Sequence, residues 1–469
     1  MPHPDHVKFL ILGAGPTGLG AAYRLKELGE QSFRVLEASS HVGGLASTFK
    51  DEQGFLWDVG GHVQFSHYTY FDELMQRALG TDGWLHHERE SWVWIRGRYI
   101  PYPFQNNIRR LPKDELWECL RGLIQLYKAP SKTVPANFKE WIHATFGEGL
   151  ARVFMEPYNF KVWAFPLEQL SYNWIGERVA VTDLERVLKN VLFETDDVSW
   201  GPNNTFQFPK NGGTGAIWER VADLVGRESI RLNSPAQTVN TEHKRVTLAD
   251  GSAVTYERLL NTIPLDLFTD TIDGFPVELR AAAHRLKFSS SNIMGIGLEG
   301  APPETLSKKC WMYFPEDDCP FYRVTVFSNY SPGNVPDAAK HWSLMAEVSE
   351  SPFKPVNQAT LASEIVAGLR NTRLIDGNSK IVSQWLRRVA HGYPTPSLER
   401  DAILSQVHAE LERRGVASRG RFGGWKYEVS NQDHSLMQGV EWVTCVLQHE
   451  PELTYFHPGK ANAFAGKKK

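Results

Sequence analysis

Short apolar runs and an amphipathic stretch alternate over the first forty residues. Residues 8–12 (KFLIL) form a continuous apolar run that predicts a buried strand, and residues 33–37 (FRVLE) predict a second strand. Between these runs, residues 19–28 carry the apolar spacing of a helix. Strand, helix and strand in this order are the opening of a doubly wound α/β sheet.

The pattern changes twice in the middle of the chain. From about 105 to 200, apolar residues recur at spacings of three and four, which predicts helices. Residues 231–263 return to short strands, with a hairpin turn at 249–251 (ADG). Residues 288–350 are also rich in strand patterns.

Three stretches after residue 359 are predicted to be helical. Helical spacing covers residues 360–370, 398–415 and 435–447. Residues 451–469 are polar and predict a loose tail.

Composition narrows the class of protein. A chain of 469 residues, 42% hydrophobic and 22% charged, predicts a globular protein of several structural units. The net charge of −3 argues against a broad nucleic-acid-binding surface. No apolar run approaches the ~18 residues of a membrane span. The four scattered cysteines suit neither a disulfide framework nor a zinc site, and with the missing leader they favour a cytoplasmic protein.

The first loop carries a dinucleotide-binding motif, Gly13-x-Gly15-x-x-Gly18, between the predicted strand and helix. Glycines let the backbone approach a pyrophosphate, and the helix start adds partial positive charge. Glu37 closes the second strand at the distance where a carboxylate accepts from ribose hydroxyls. The pair Gly43-Gly44 soon afterwards is typical of FAD proteins of the glutathione-reductase and amine-oxidase type. A second such motif is missing, so FAD is expected and a separate NAD(P)H domain is not.

Seven longer stretches resemble the UDP-galactopyranose mutases of the eukaryotic, fungal-like type. They are residues 54–74, 101–108, 157–164, 174–180, 310–332, 391–400 and 418–435. The resemblance runs from about Lys8 to Gly439. It implies interconversion of UDP-galactopyranose and UDP-galactofuranose without net redox change, through an adduct between N5 of reduced FAD and C1 of the sugar. It also implies NADPH as the reductant.

The same resemblance implies three parts. An FAD-binding doubly wound domain would comprise residues 1–85, 205–288 and 400–469. A helical nucleotide-binding domain would comprise 105–204. A domain built on an antiparallel sheet would comprise 86–104 and 289–399.

The resemblance also implies the residues that bind the substrate. For the diphosphate it points to Arg178, Arg323, Tyr393 and Tyr427, and planar guanidinium groups suit phosphate oxygens. The implied uridine pocket consists of Tyr102, Phe104, Gln105, Met155, Asn159 and Trp163, with Tyr313 and Tyr330 nearby. Asn203 matches a residue on a mobile flap.

A third set of residues is implied at the flavin. His62, after Gly60-Gly61, is expected beside the ring as a hydrogen-bonding group, and Arg89 matches an active-site arginine. Other matching cofactor residues are Gly61, Val239, Arg421, Asn431, Gln432 and Ser435.

Alternatives stay open at this point. The same mechanism could act on UDP-arabinopyranose or UDP-N-acetylgalactosamine, because few residues touch the sugar. A flavin oxidase of the amine-oxidase or protoporphyrinogen-oxidase type shares the first motif, and a silent FAD protein that binds UDP-sugars is the fourth possibility. The short segment after Tyr330 leaves the oligomeric state open.

Overall fold

The computed structural model describes residues 5–128, 133–198 and 204–463. Its strands are β1 Asp5–Leu12, β2 Phe33–Leu36, β3 Thr48–Lys50, β4 Leu56–Asp58, β5 Trp84–Glu88, β6 Ser91–Ile95, β7 Arg98–Pro101, β8 Thr205–Pro209, β9 Ile230–Arg231, β10 Ala236–Asn240, β11 Arg245–Leu248, β12 Ala253–Asn261, β13 Phe288–Glu299, β14 Trp311–Tyr313, β15 Arg323–Val326, β16 His341–Glu350, β17 Ile381–Pro394 and β18 Val416–Ser418. Its helices are α1 Pro16–Glu27, α2 Thr69–Leu79, α3 Lys113–Lys128, α4 Phe138–Leu150, α5 Glu156–Trp163, α6 Leu184–Leu192, α7 Gly215–Val225, α8 Leu265–Thr271, α9 Val277–Ala283, α10 Leu361–Asn371, α11 Arg400–Arg413, α12 Gln432–Gln448, α13 Leu453–Phe456 and α14 Pro458–Asn462.

The first sheet has the strand order β10-β11-β12-β1-β2-β9, with β18 also paired to β12. β1 pairs in parallel with both β12 and β2. Phe9 and Ile11 face one core cluster, while Leu10 and Leu12 face another. Because both faces of β1 are covered, its sequence is a continuous apolar run. The predicted doubly wound opening is confirmed, and so is the hairpin turn between β11 and β12.

The second sheet has the order β17-β13-β16-β15-β14-β6-β7. All its neighbours are antiparallel except β14 and β6, which run parallel. β15 and β16 place Arg323 directly opposite Glu347. This register sets the central feature of the site described below.

The helical segment predicted for the middle of the chain contains α3 to α6. α4 continues through a π-helical turn, Ala151–Met155, into α5. α3 and α4 approach closely, because a Cβ at Gly149 would lie 2.3 Å from the carbonyl oxygen of Glu118. The helices share one apolar core with β6 and β7. The helical and strand-rich stretches predicted from the pattern are thus found, while the domain boundaries stay a prediction.

The predicted loose tail is wrong over residues 451–463. α13 and α14 lie there, and Thr454 and Tyr455 are buried. Glu452 forms a buried ion pair with Arg419, with 2.6 Å between Oε2 and Nε. The guanidinium of Arg419 also lies 4.7 Å from the ring centre of Tyr455. The buried ion pair and the contact with Tyr455 therefore hold this segment against the rest of the protein, although its sequence is polar. In the part of the chain that is described, no helix is long and apolar enough to cross a bilayer.

Candidate active site

A cavity of about 710 Å³ lies where the two sheets and the helical segment meet. The predicted residues that line it are Gly13, Gly15, Glu37, Gly44, Gly61, His62, Arg89, Tyr102, Arg178, Tyr313, Arg323, Tyr393, Arg421, Tyr427, Asn431, Gln432 and Ser435. The cofactor motif and the proposed diphosphate residues therefore share one cavity.

One end of the cavity has the features of a pyrophosphate and ribose site. Gly13 has φ +104°, which favours glycine, and a Cβ at Gly18 would lie 1.9 Å from the Gly13 carbonyl oxygen. A Cβ at Gly15 would meet nothing within 4 Å, so this face of the loop is open to a ligand. The Ala14 N–H donates to Glu37 Oε2 at 2.8 Å and fixes the carboxylate beside the loop. These residues fit the phosphates and a ribose of FAD.

The second glycine pair lies against this loop. The Gly43 N–H donates to the Ala14 carbonyl oxygen at 2.8 Å. A Cβ at Gly44 would lie 3.4 Å from the Gly15 Cα, and both Gly43 and Gly44 have positive φ. Gly18 and Gly43 thus shape the loop without lining the cavity.

His62 lies on the cavity wall after Gly60-Gly61. Its Nδ1 is buried and has no hydrogen-bond partner among the described residues. Burial lowers the pKa of His62 to about 4, although the Glu347 charge opposes this shift. A neutral imidazole with an unused nitrogen fits a hydrogen-bonding role beside a flavin ring.

Arg323 is paired with Glu347, a residue that the sequence analysis missed. Arg323 Nε donates to Glu347 Oε1 at 2.7 Å, and Nη2 donates to Oε2 at 2.8 Å. The Gly61 N–H and the Tyr322 hydroxyl also donate to this carboxylate, at 3.0 and 2.8 Å. Burial opposes ionisation, yet the Arg323 charge and these donors hold the pKa of Glu347 below its usual value. The available signal was an acid inside β16, where the neighbouring residues are all buried.

Three other arginines line the cavity against aromatic rings. The Arg178 guanidinium lies 5.4 Å from the ring centre of Tyr427, and its buried Nη1 and Nη2 have no partner among the described residues. Arg421 lies 4.9 Å from the ring of Tyr393 and donates to the backbone, and burial lowers its pKa. Arg89 lies 5.2 Å from the ring centre of Tyr102. With Arg323, these cations suit a multiply charged anion.

Several predicted substrate residues lie behind the cavity wall. Phe104, Gln105, Met155, Asn159 and Trp163 are buried near the core of the helical segment and do not line the cavity. Gln105 Nε2 donates to the Ala180 carbonyl oxygen at 2.7 Å, and Asn159 Nδ2 donates to that of Met155 at 2.7 Å. Gln105 Oε1 is buried without a partner among the described residues. The Trp163 ring lies 4.8 Å from that of Tyr427 and supports the wall from behind.

Three further predicted residues are not placed at the cavity. Tyr330 is fully buried in a cluster with Phe206 and Phe208. Val239 is buried in the core of the first sheet, and the nearby residues that do line the cavity are Ser234, Pro235 and Ala236. Asn203 lies outside the described residues.

A buried acid–imidazole cluster at the start of α12 was also missed. The His67 ring Nδ1 lies 2.6 Å from Asp433 Oδ2, and the His434 ring centre lies 4.5 Å from that of His67. Burial opposes ionisation, but the two imidazoles hold the pKa of Asp433 well below its usual value. The ligand atoms of all three lie within 4.8 Å of one another, a spacing that is compatible with a metal ion.

Comparisons with known proteins find flavin enzymes that are similar to this chain. The family model of flavin containing amine oxidoreductases matches residues 16–393. A solved structure of reduced UDP-galactopyranose mutase is 47% identical, with a TM-score of 0.95 and 97% of each chain covered. Putrescine oxidase bound to putrescine is 16% identical with a TM-score of 0.63, over 95% of this chain and 100% of that one, and shares the fold.

Curated relatives are more distant. The flavin-containing amine oxidase A of Bos taurus is 23% identical over 261 residues, 53% of this chain and 47% of that protein. Amine oxidase B of Canis lupus familiaris is 22% identical over 271 residues, 54% of this chain and 50% of that protein. The chain thus spans about half the length of these curated relatives.

Proposed function

We propose that this chain, which belongs to the UDP-galactopyranose mutase family within the flavin containing amine oxidoreductases, interconverts UDP-galactopyranose and UDP-galactofuranose. The observation that carries the proposal is that Nη1 and Nη2 of Arg178 are buried without a hydrogen-bond partner among the described residues, in the cavity that begins at the glycine loop. A cation without a partner in a buried wall is costly unless a ligand supplies the counter-charge.

Arg178 and Arg323 have the chemistry to hold the UDP diphosphate while its bond to the sugar breaks. Negative charge grows on the departing phosphate, so a cation placed beforehand stabilises the transition state more than the bound substrate. Tyr393 and Tyr427 lie 6.0 Å apart, ring centre to ring centre, and line the same wall. Their hydroxyls can donate to the phosphate oxygens that the arginines leave free.

The cofactor is a flavin, and the glycine loop with Glu37 would hold its pyrophosphate and ribose. When bound and reduced, FAD supplies the nucleophile for C1 of the sugar, which explains why a serine or cysteine nucleophile is not needed. His62 enters as a neutral hydrogen-bonding group beside the ring. Its low pKa keeps it from adding positive charge at neutral pH.

The uracil would lie at the end of the cavity lined by Tyr102 and Tyr313, whose rings are 5.3 Å apart. Phe104, Gln105 and Asn159 then act from behind this wall, as packing and as orienting groups. Behind this wall, Gln105 Oε1 has no partner among the described residues and stays available as an acceptor.

We extend the proposal to the finer points that the sequence resemblance implies. The protein would be a mutase of the fungal-like eukaryotic type, work in the cytoplasm in the synthesis of galactofuranose-containing glycans, and take electrons from NADPH. The seven matching stretches support the type. The first sheet, the helical segment and the second sheet support the proposed three-part division.

An amine oxidase is the main alternative, because the family model and the curated relatives share this fold. A cavity lined by four arginines disfavours a cationic amine. Another UDP-pyranose would suit the same diphosphate and uracil sites, so the sugar has to be decided by assay.

The test compares oxidised protein with protein reduced anaerobically by dithionite or by NADPH. Each sample receives UDP-galactofuranose, and the nucleotide products are separated by chromatography. We expect UDP-galactopyranose from both reduced samples and none from the oxidised sample. Conversion by the oxidised protein, or failure of the reduced protein to bind UDP, would contradict the proposal. Binding without conversion would redirect the assay to other UDP-pyranoses, and hydrogen peroxide release from an amine would favour the oxidase.

A further inference from the structure

One carboxylate connects the part of the cavity assigned to the flavin with the part assigned to the diphosphate. Glu347 accepts from the Gly61 N–H in the loop that carries His62, and from Arg323 on β15. The Tyr322 hydroxyl is its fourth donor. Glu347 is 2% exposed, so its charge is compensated mainly by these protein donors.

The loop and the ion pair are in direct contact. A Cβ at Gly61 would lie 2.9 Å from Thr325 Oγ1, 3.3 Å from Glu347 Oε1 and 3.7 Å from Arg323 Cζ. Gly60 before it has φ +103°, a conformation that suits glycine. Such close packing leaves the loop little freedom to shift unless the ion pair shifts too.

The two sides of this hydrogen-bond network would contact different ligands: the Gly61 side the flavin, and the Arg323 side the diphosphate. The pair with Glu347 uses Nε and Nη2 of Arg323, and leaves Nη1 for an anion in the cavity. An anion at Arg323 draws guanidinium charge away from Glu347, which leaves the carboxylate less compensated. The Gly61 N–H is then held more strongly, and the field at His62 changes, since the charges of Glu347 and Arg323 both act on its pKa.

We propose that Glu347 is a positioning residue that couples anion binding at Arg323 to the redox state of the flavin beside the Gly60–His62 loop. The proposal rests on the function proposed above and adds a regulatory link within that site. By thermodynamic linkage, a ligand that binds the reduced and oxidised proteins with different affinities shifts the flavin potential by the matching amount. UDP bound to the protein should therefore shift the potential, and Glu347 should be the main route of that shift.

The test uses the FAD-loaded protein and UDP as the probe. We measure the flavin reduction potential with and without saturating UDP, and the UDP dissociation constant of the oxidised and reduced forms. The variants are Glu347→Gln and, as a matched control, Glu350→Gln. Glu350 lies on the same strand and pairs with Arg388 at 2.9 Å, but it does not line the cavity. Glu347→Gln removes the negative charge and replaces one carboxylate oxygen by an NH2 donor, so the bonds that Oε2 accepts from Arg323 Nη2 and the Tyr322 hydroxyl are lost.

For the wild type we expect about a tenfold or larger ratio between the two dissociation constants, which corresponds to a shift of about 30 mV for a two-electron couple. Glu350→Gln should keep this shift. In Glu347→Gln, the UDP dissociation constants of the oxidised and reduced forms should differ by less than about threefold, even if the variant binds UDP more weakly in both forms. An equal shift in Glu347→Gln and wild type would overturn the proposal, as would a wild type that binds UDP without any shift.

A second variant covers the case in which Glu347→Gln does not fold. Tyr322→Phe removes one donor to Oε2 and leaves the ion pair in place. We expect a reduced but measurable shift, whereas an unchanged shift would contradict the proposal. Measuring the mutase activity and UDP affinity of the wild type distinguishes failure of the proposed function from failure of the coupling through Glu347. If the wild type is an active mutase but the variants keep its shift, only the coupling fails; if it binds no UDP, the proposed function fails and the coupling with it.

Discussion

Replacing Arg178 should weaken catalysis and ligand binding while leaving the free protein as stable as before, or more so. Its Nη1 and Nη2 are buried and lack partners among the described residues. A buried donor without a partner costs about 1–3 kcal/mol. Arg178→Met removes both donors and keeps most of the apolar stem, while it loses the contact of the guanidinium with the Tyr427 ring. We therefore expect the ligand-free variant to gain about 1 kcal/mol of stability or to stay unchanged.

The loss on ligand binding should be much larger. Two charge-assisted hydrogen bonds to phosphate contribute about 1.5–3 kcal/mol each. Their removal corresponds to about a 10²–10⁴-fold weaker interaction with the diphosphate. Turnover should fall by about 10² or more, because the contact strengthens as charge develops on the departing phosphate. Arg178→Lys should recover part of this loss, since it restores the charge without the planar fork.

The assay combines thermal unfolding with and without UDP, UDP titration and turnover of the reduced enzyme. The matched control is Arg186→Met, because Arg186 is half-exposed on a neighbouring helix and pairs with Asp197. The control should change UDP affinity less than about twofold. The variant should lose most of the stabilisation that UDP gives the wild type.

Two results would refute this reasoning. One is a ligand-free Arg178→Met protein that is destabilised by about 2 kcal/mol or more, since Arg178 would then have a stabilising partner in the free protein. The other is wild-type UDP affinity in a correctly folded variant. In that case the guanidinium of Arg178 would not face the diphosphate, and UDP would have to bind in a different orientation.

Three further predictions concern the cofactor loop, the imidazole and the tail. Gly18→Ala should lower flavin content, measured by visible absorbance per protein, by about tenfold, because its Cβ would lie 1.9 Å from the Gly13 carbonyl oxygen. The pKa of His62 is about 4 in the folded protein and 6.5 in the unfolded chain, so unfolding takes up a proton between these pH values. The contribution of His62 to the free energy of unfolding, measured by urea titration, should therefore fall by up to about 3 kcal/mol as the pH drops from about 6.5 towards 4. His62→Gln should remove this part of the pH dependence. Glu452→Ala should destabilise the protein by about 3 kcal/mol in the same titrations, because it leaves Arg419 buried without its partner.

Two of these predictions have a matched control, and each of the three has a result that would contradict it. Gly377→Ala meets nothing within 4 Å and should keep its flavin; equal flavin in Gly18→Ala would contradict the proposed loop geometry. The same pH dependence in the wild type and in His62→Gln between pH 6.5 and 4 would show that His62 is not held neutral by burial. Glu399→Ala removes an exposed ion pair with Arg285 and should cost less than about 1 kcal/mol; a similar cost for Glu452→Ala would mean that the tail contributes little.

The start of the first sheet could be predicted from sequence because it depends on residues that are close together in the chain. The run at residues 8–12 has to be buried on both faces, and Gly13, Gly15 and Gly18 serve one turn whose geometry tolerates no side chain at two of them. The tail shows the opposite case. Glu452 looks like an ordinary polar residue in the sequence, because its partner Arg419 lies 33 residues earlier. The local pattern therefore could not predict that this ion pair fixes the segment to the rest of the protein.

The candidate site was predicted unevenly for a related reason. A matching motif locates a residue along the chain, but the fold decides whether its side chain faces the cavity. Tyr102 lines the cavity while Phe104 and Gln105, two and three residues on, lie behind the wall. Glu347 was missed because its importance comes from the strand opposite it, which places Arg323 across the ladder.

The two arginines proposed to bind the diphosphate are not equivalent in the free protein. Arg323 already has a carboxylate partner, and a ligand must share its charge with Glu347. Arg178 has buried donors without a partner among the described residues, so a ligand gains its full hydrogen-bonding capacity. Arg178 should thus contribute mainly to affinity, and Arg323 mainly to the response of the flavin loop when the anion arrives. If the two arginines have these different roles, Arg178→Met should lose more UDP affinity than Arg323→Met. Of the two variants, only Arg323→Met should lose the shift of the flavin potential that UDP induces.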